Sequence, residues 1–403
     1  MKEKKTIAVV GTFDSKGDEH LFLKKQIEAR GCRALTINIG TARPSPFPPD
    51  HDLFSDVVLG KDLANKGRDE MIQAVISAAR ELIREIYGRG EIHGIISAGG
   101  GTGTHLGTRI MQALPMGIPK VMVSTVASRD MSKTVGTKDI TMMHSVTDIM
   151  GINSLTGAVL DKAAAAVSAM AGSNWKSGEP KKRIALTMFG FITRAAEQIR
   201  EHLEALGYEV IPFHANGTGG NAMEELAREG SFDGILDLAT HELADELKGG
   251  YCKGIGPLRL EPINGRTVPR LVVPGGLDCA VLEFTRQNVP PEFKDRKVFF
   301  YDFRSAIRLN LKETFNLAEQ VAGKLNRGPS TVRLLIPLGG WSEADREGGP
   351  LYDPDMRDAF IEKLKENLAP QIRVLEVDSH INDPAFTQLA SSTMHEMLNK
   401  KDG

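Results

Sequence analysis

Cysteine is scarce in this chain of 403 residues, which contains three of them. Cys32, Cys252 and Cys279 form no C-x-x-C pair, so the sequence indicates neither a zinc site nor a disulfide framework. Aromatic residues make up only 6%, and no basic stripe with interleaved aromatics is present, which argues against nucleic-acid binding. The formal net charge of −2 provides no global field towards a nucleic acid or an anionic membrane.

Long apolar runs are also missing. The longest stretch of small apolar residues, 163–171, is too short to span a bilayer. The first residues, MKEKKTIAVVGTF, are basic but lead directly into a strand-like run, without the hydrophobic region of a signal peptide. We therefore expect a cytoplasmic protein that has no membrane segment.

Apolar runs alternate with helical periods along the chain, the pattern of a parallel sheet covered by helices. The clearest helix is predicted over residues 69–87, where apolar side chains recur with the helical period of about 3.6 residues. A strand is predicted over 6–10, followed by a turn and a helix over 18–30 that Asp18 caps. Residues 128–153 are predicted to be mostly loop, rich in Gly, Ser and Thr.

The segment GSNWKSGEPKKR, residues 172–183, combines Gly, Ser, Pro and charge, which is typical of a domain boundary. After it the rhythm of the first half restarts, since RIALTMFGFITRAAEQ parallels TIAVVGTFDSKGDEHL. We therefore predict an α/β fold of two tandem Rossmann-like subdomains, each a mostly parallel sheet covered by helices. The predicted subdomains are residues 1–176 and residues 177–403.

A glycine-rich loop follows the strand predicted over residues 92–98. Its residues are Gly99, Gly100, Gly101, Thr102, Gly103 and Thr104. Glycine lets the backbone approach an anion closely, and the amides at the start of the next helix favour phosphate. Five glycines among residues 99–107 exceed what a turn needs, so we predict an anion site. The alternative is a tight strand-to-helix turn without a ligand.

The loop matches no common nucleotide motif in full. The Walker A pattern is absent, and Gly101, Gly103 and Gly107 give G-x-G-x-x-x-G rather than the dinucleotide pattern. The neighbouring strand-like runs, ALTINIG and VMVSTVAS, end without the acid that binds a dinucleotide ribose. NAD is therefore disfavoured, and the string is similar to the G-G-x-G-T loop of lipid, sugar and NAD kinases.

A second loop, GTFDSKGDEH, follows the first strand and contains Gly11, Thr12, Asp14 and Lys16. A lysine can meet phosphate as a point charge, and an aspartate can hold Mg²⁺ through water. Asp14 and Lys16 are therefore candidate catalytic residues as well as candidate ligand contacts. The alternative interpretation is a capped turn whose charges are solvated.

The second half contributes a third catalytic candidate. His214 ends a strand-like run in PFHANGTGGN, and it could form an acid/base pair with Glu225 or Asp278. The sequence does not determine either distance. No residue set emerges as a firm metal site, with Asp14 as the one metal contact expected if Mg-ATP binds.

Longer strings carry a resemblance to a known family. VVGTFDSKGDEHLFL, SAGGGTGTHLGTRIMQALPMGIPKVMVSTVAS, VGTKDITMMHSVTDIMGIN and FHANGTGGNAMEEL are similar to a largely uncharacterised family of bacterial, fungal and plant proteins. The family includes the tomato mosaic virus resistance protein of tomato, in its N-terminal portion. The resemblance covers nearly the whole chain.

The resemblance implies ATP binding, two Rossmann-like subdomains and a homodimer. It assigns the ATP phosphates to the loop 99–104 and places Gly11, Thr12, Asp14 and Lys16 in the same site, within residues 1–176. We therefore expect an ATP-binding protein that uses ATP, with Mg²⁺, on a small molecule held between the two subdomains. The alternatives are a non-catalytic nucleotide-responsive module, or an enzyme that acts on a phosphorylated or acidic metabolite without ATP.

Overall fold

The computed structural model describes residues 4–61, 63, 66–175, 178–263 and 265–399. The chain divides into two compact units, Met1–Ser177 and Gly178–Gly403. The boundary predicted between residues 176 and 177 lies outside the described residues. Within the described ranges, no helix is both long and apolar enough to cross a membrane.

The first unit contains a six-stranded sheet in the order β3-β2-β1-β4-β5-β6, and every pair of neighbouring strands is parallel. The strands are β1 (Thr6–Gly11), β2 (Arg33–Asn38), β3 (His51–Asp52), β4 (Gly94–Gly99), β5 (Lys120–Ser124) and β6 (Ile140–His144). The helices are α1 (Phe13–Ala29), α2 (Arg68–Gly88), α3 (Gly101–Met111), α4 (Ser132–Val135) and α5 (Ser154–Ala171), with a short π-helix at Phe54–Leu59.

Helices cover both faces of this sheet, because side chains of a strand alternate between its two faces. On β1, Ala8 and Val10 pack with residues of α2 and α3, whereas Ile7 and Val9 pack with residues of α1 and α5. All four β1 side chains are fully buried. Burial of each Val or Ile side chain contributes about 1.5–3 kcal/mol, which explains why the strand is apolar on both faces.

The second unit contains a parallel six-stranded sheet in the order β15-β14-β10-β9-β7-β8 and an antiparallel sheet in the order β11-β13-β12. The parallel strands are β7 (Arg183–Met188), β8 (Glu209–His214), β9 (Gly234–Ala239), β10 (Arg270–Gly275), β14 (Val332–Pro337) and β15 (Arg373–Val377). The antiparallel strands are β11 (Cys279–Leu282), β12 (Val298–Phe300) and β13 (Ser305–Arg308). The helices are α6 (Thr193–Ala205), α7 (Thr218–Arg228), α8 (Glu242–Lys248), α9 (Leu311–Leu325), α10 (Pro354–Asn367) and α11 (Pro384–Asn399).

The predicted fold class is confirmed, because each unit is built on a parallel sheet covered by helices. The two large sheets also share a pattern. In each, the chain makes a first strand, moves outward to the second, and then returns to the other side of the first. β7, β8 and β9 thus take the places in their sheet that β1, β2 and β4 take in the first.

The start of the first helix differs from the prediction, which placed it at residue 18 with Asp18 as the cap. α1 begins at Phe13, whose amide donates to Oδ1 of Asn38 at 3.1 Å, and Asp18 lies inside the helix. Gly17, which we interpreted as part of a turn, is needed for packing. A Cβ there would lie 2.4 Å from Cγ of Pro46, so glycine admits the proline-rich loop against the helix.

Residues 128–153 contain more regular structure than predicted. α4 and the edge strand β6 both lie in this stretch. Only Ile140 is buried in β6, so the strand lacks the apolar run that identifies the central strands. The antiparallel sheet was missed as well, because β11, β12 and β13 are only three or four residues long.

Candidate active site

A cleft of about 450 Å³ lies at the carboxyl ends of β1 and β4. These strands are neighbours, but the chain continues from them in opposite directions across the sheet. Ligands of open α/β sheets bind at such a point, because the two following loops separate there and leave a crevice. The lining residues are Thr12, Asp14, Ser15, Lys16, Thr41, Ala42, Arg68, Met71, Gly99, Gly100, Gly101, Thr102, Gly103 and Leu106.

The glycines of the loop after β4 have two different surroundings. A Cβ at Gly99 would lie 2.9 Å from Cα of Gly103, and one at Gly107 would lie 2.7 Å from Oγ of Ser97. These two glycines therefore allow α3 to approach the sheet closely. A Cβ at Gly101, in contrast, would meet no atom within 4 Å. Packing thus accounts for Gly99 and Gly107 but not for Gly101.

Gly101 is the first residue of α3, so its amide and those of the next residues are at the start of a helix. The first amides of a helix have no partner within the helix and carry the positive end of its dipole. Thr102 is exposed in this turn, whereas Thr104 is buried. Oγ1 of Thr104 lies 2.7 Å from Oγ of Ser124, so this hydroxyl joins α3 to β5 and does not line the cleft.

Asp14 lines the opposite side of the cleft and is 7% exposed. Its Oδ2 accepts hydrogen bonds from the amides of Thr41 and Ala42 at 3.1 and 2.9 Å. The carboxylate therefore holds the loop after β2 against α1. In the part of the chain that the structure describes, Oδ1 of Asp14 accepts no hydrogen bond.

Lys16 lies at a kink in α1, where its φ of −132° and ψ of 35° leave the helical region. Its Nζ donates to the carbonyl of Ile149. Three residues further on, Oε1 of the buried Glu19 accepts from the amide of Gly151 at 2.8 Å. The backbone of the hydroxyl-rich segment around residues 145–153 is therefore hydrogen-bonded to α1 at Ile149 and Gly151.

His20 joins the kink of α1 to β4. Its Nδ1 lies 2.7 Å from the carbonyl of Lys16, and its Nε2 accepts from the amide of Ala98 at 3.4 Å. Burial lowers the pKa of His20, which keeps the ring neutral with the proton on Nδ1. Gly11 faces this ring and is buried, so it shapes the site through His20 and does not line the cleft.

Arg68 and Thr41 line the cleft but were not among the sequence candidates. Arg68 is exposed and is the first residue of α2. A cation at the start of a helix is unfavourable because it meets the positive end of the dipole. That unfavourable placement is a signal in the sequence that could have identified Arg68.

The structure does not bring His214, the third catalytic candidate, next to Asp278. His214 is exposed and ends β8, at one edge of the second sheet, whereas Asp278 follows β10. β7 and β9 lie between those strands. Asp278 is buried and accepts from Oγ of Ser342 at 2.8 Å.

Buried charges in the second unit form an internal network. Arg270 donates to Glu224 at 2.7 Å and to Asp237 at 2.8 Å, and Arg259 contacts Asp237 at 2.7 Å and Glu242 at 3.0 Å. Burial opposes the ionised form of Glu224, but the guanidinium groups of Arg270 and Arg259 hold its pKa below the usual value. The described residues of the whole chain include no group of three or more His, Cys, Asp or Glu placed to hold a metal ion.

Comparisons with known proteins find relatives that match nearly the whole of this chain. A UPF0261 protein of Clostridium tetani is 36% identical over 405 residues, covering 98% of this chain and 100% of the relative. The ToMV susceptible protein tm-1(GCR26) of Solanum lycopersicum is 31% identical over 422 residues, covering 97% of this chain and 55% of the tomato protein. This chain therefore spans about half of the tomato relative.

Solved structures add little. A UDP-N-acetylglucosamine 2-epimerase is 11% identical with a TM-score of 0.26, covering 92% of each chain, and this similarity carries no argument about function.

Two family models match most of the chain. The N-terminal domain of the uncharacterised protein family UPF0261 matches residues 5–176, and the C-terminal domain of the same family matches residues 181–398. The chain therefore belongs to the uncharacterised protein family UPF0261.

Proposed function

We propose that the first unit binds ATP with Mg²⁺ in the cleft at the carboxyl ends of β1 and β4, and that the protein uses this ATP on a small molecule. The surroundings of Gly101 carry the proposal. No protein atom limits the side chain at this position, yet the residue is glycine at the start of a helix that faces a cleft. A backbone that must lie against a phosphate explains that choice.

The other lining residues fit the same ligand. Lys16 and Arg68 both line the cleft and bring positive charge to it, and the hydroxyls of Thr12 and Thr102 are hydrogen-bond donors. Asp14 would hold Mg²⁺ through water, with Oδ2 kept in place by the loop after β2. The volume of about 450 Å³ lies in the range of small-molecule sites. When bound, ATP supplies a phosphoryl group whose transfer depends mainly on positioning and charge neutralisation.

A pair of glycine variants tests the site. Gly101→Val places a branched side chain where the phosphates would lie, and Gly323→Val is the control, since a Cβ at that helical position in α9 also meets no atom within 4 Å. Isothermal titration calorimetry with Mg-ATP should show at least a tenfold loss of affinity for Gly101→Val only. Equal affinities for wild type and Gly101→Val would refute the site.

A second variant separates phosphate recognition from binding of the base. Arg68→Gln removes a charged donor from an exposed position, so the fold should be preserved. We expect weaker binding of ATP and unchanged binding of adenosine, because adenosine has no phosphate for Arg68 to contact. An equal loss of affinity for ATP and for adenosine would mean that Arg68 acts through the shape of the cleft.

Turnover distinguishes the proposed enzyme from the alternative functions. Mg²⁺-dependent release of ADP over many turnovers in the presence of a small molecule supports an ATP-dependent enzyme. Binding of ATP without turnover supports a nucleotide-responsive module. Thermal stabilisation by a sugar phosphate, without any by ATP, supports an enzyme that acts on a phosphorylated metabolite.

The homodimer expected from the family resemblance is part of this proposal. Four large apolar side chains close together in sequence are exposed, with Val146 at 76%, Met150 at 75%, Ile152 at 42% and Leu155 at 61%. Exposed apolar groups of this density are typical of interfaces. Sedimentation velocity of wild type and Met150→Lys tests it, with a dimer expected for the first and a monomer for the second.

A further inference from the structure

A cavity of about 430 Å³ lies in the second unit, at the amino ends of the strands. Val332 and Arg373, the first residues of β14 and β15, contribute to its lining, as do Lys182 and Asp233, which directly precede β7 and β9. Ligands of such sheets ordinarily bind at the carboxyl ends of the strands, and this cavity lies at the opposite edge of the sheet. The cavity is therefore separate from any site of the ordinary kind in this fold.

The charge in this cavity is mainly positive. Three cationic side chains, Lys182, Arg333 and Arg373, line it against a single carboxylate, that of Asp233. Oδ2 of Asp233 already accepts the amide of Arg183 at 2.7 Å, and Nζ of Lys182 donates to the carbonyl of Leu398 at 3.0 Å. The two arginines therefore determine what the cavity attracts.

Arg333 provides the second observation. It is only 7% exposed, and its Nη2 donates to Oε1 of Glu396 at 3.0 Å. Its Nη1 is buried and has no hydrogen-bond partner among the residues that the structure describes. A buried donor on a charged group is costly when unsatisfied, so this guanidinium lacks an acceptor on the side that Glu396 does not cover.

The remaining lining groups suit an oxyanion. Hydroxyls of Ser330 and Thr331 stand at the turn before β14, and Arg373 makes no ion pair with any of the described residues. A smaller adjacent cavity of about 230 Å³ adds three more cations, Arg266, Lys324 and Arg270, of which Lys324 and Arg270 are paired with carboxylates of the protein.

We propose that this cavity binds a small phosphorylated metabolite through Arg333 and Arg373. The two guanidinium groups would receive the phosphate, since guanidinium pairs with phosphate oxygens through two parallel hydrogen bonds. The volume of the cavity leaves space for a small molecule around that phosphate. The proposal does not depend on ATP binding in the first unit.

The proposal is tested by calorimetry with inorganic pyrophosphate on the full chain. The chain carries Gly101→Val, so that binding in the cleft of the first unit does not contribute to the measured affinity. Arg373→Gln and Arg333→Gln are compared with Arg194→Gln, an exposed arginine at the start of α6, near the carboxyl end of β7. We expect pyrophosphate to bind. Its affinity should fall at least tenfold for each of the two cavity variants and should not change for Arg194→Gln.

Three results would overturn the proposal. The first is the absence of pyrophosphate binding at low ionic strength, and the second is an affinity that Arg373→Gln leaves unchanged. An equal loss for Arg194→Gln would also overturn it, because it would show attraction to surface charge in general. If Arg333→Gln fails to fold, Arg373→Gln decides alone, since Arg373 is exposed and its removal leaves no buried group unpaired.

Discussion

The imidazole ring of His20 occupies the space in which a side chain at Gly11 would lie. A Cβ on Gly11 would come within 2.0 Å of Nε2 of that ring. The ring is fully buried and hydrogen-bonded to the backbone at Lys16 and at Ala98, so it cannot move aside without losing both contacts. The absence of a side chain at Gly11 therefore leaves room for the ring that connects the kink of α1 to β4.

Gly11→Ala should destabilise the protein by about 1–3 kcal/mol, the usual cost of overpacking a filled core. The matched substitution is Gly101→Ala, whose new methyl group would meet open space. Replacing glycine by alanine where the backbone allows it reduces the entropy of the unfolded chain and stabilises by about 0.4–1 kcal/mol, so this variant should be as stable as wild type or more so. Urea unfolding of both variants checks the prediction, and equal stabilities would contradict it.

Much of the fold could be predicted from the sequence, because the signals of its elements are local. The helix predicted over residues 69–87 spans Arg68–Gly88 in the structure. It carries the apolar period over many residues. β6 and the antiparallel sheet lack such a signal, since their strands are short and β6 is largely exposed at an edge.

The candidate site could be predicted only in part, for a physical reason. Loops at the carboxyl ends of neighbouring strands meet in any parallel sheet, so the meeting of the loops after β1 and β4 follows from the fold class. The role of a single glycine depends instead on what lies opposite, as His20 does for Gly11 and Ser97 for Gly107. Arg68 was missed because its place at the cleft depends on how α2 packs against the loops after β1 and β4, which are distant from it in sequence.

Removal of Arg270 should be among the most damaging substitutions in the second unit. Its guanidinium lies between the buried carboxylates of Glu224 and Asp237, and Arg270→Met would leave both with Arg259 as their remaining buried cation. Breaking a buried ion pair on one side costs about 3–5 kcal/mol. Chemical unfolding measures the loss, with the exposed Arg194→Met as control, and a cost below about 1 kcal/mol would contradict the prediction.

Asp245 should make the protein less stable as the pH rises from about 4 to about 6. Burial raises the pKa of its carboxyl from 3.8 to about 6, against hydrogen bonds from the amides of Val281 and Cys252. Between these values the folded state binds the proton and the unfolded state does not, so the free energy of unfolding falls with rising pH by up to about 3 kcal/mol.

Asp245→Asn has no proton to lose, so its stability should fall less over this range than that of wild type. The asparagine side chain can accept from only one of the two amides, so a constant loss at every pH is expected as well. Urea unfolding at a series of pH values separates the constant loss from the slope. Parallel profiles for variant and wild type would show that Asp245 does not titrate in this window.

His241 should act in the opposite direction. The ring stacks on Phe189 with centroids 3.8 Å apart, and neither ring nitrogen has a hydrogen-bond partner within the described part of the chain. Burial lowers its pKa from 6.5 to about 3, and the nearby His214 and Arg259 add repulsion. Below pH 6.5 the unfolded state therefore binds a proton at this residue and the folded state does not. The free energy of unfolding falls as the pH falls, by about 2 kcal/mol at pH 5.

His241→Phe tests this effect, because phenylalanine keeps a stacking ring and removes both unsatisfied nitrogens. Above pH 7 the variant should match or exceed the stability of wild type, since a buried polar group without a partner costs free energy. As the pH falls to 5, the variant should gain on wild type by about the 2 kcal/mol that His241 loses. His105→Gln, at an exposed position in α3, should follow wild type throughout, and a His241→Phe profile parallel to wild type would mean that His241 is protonated in the folded state.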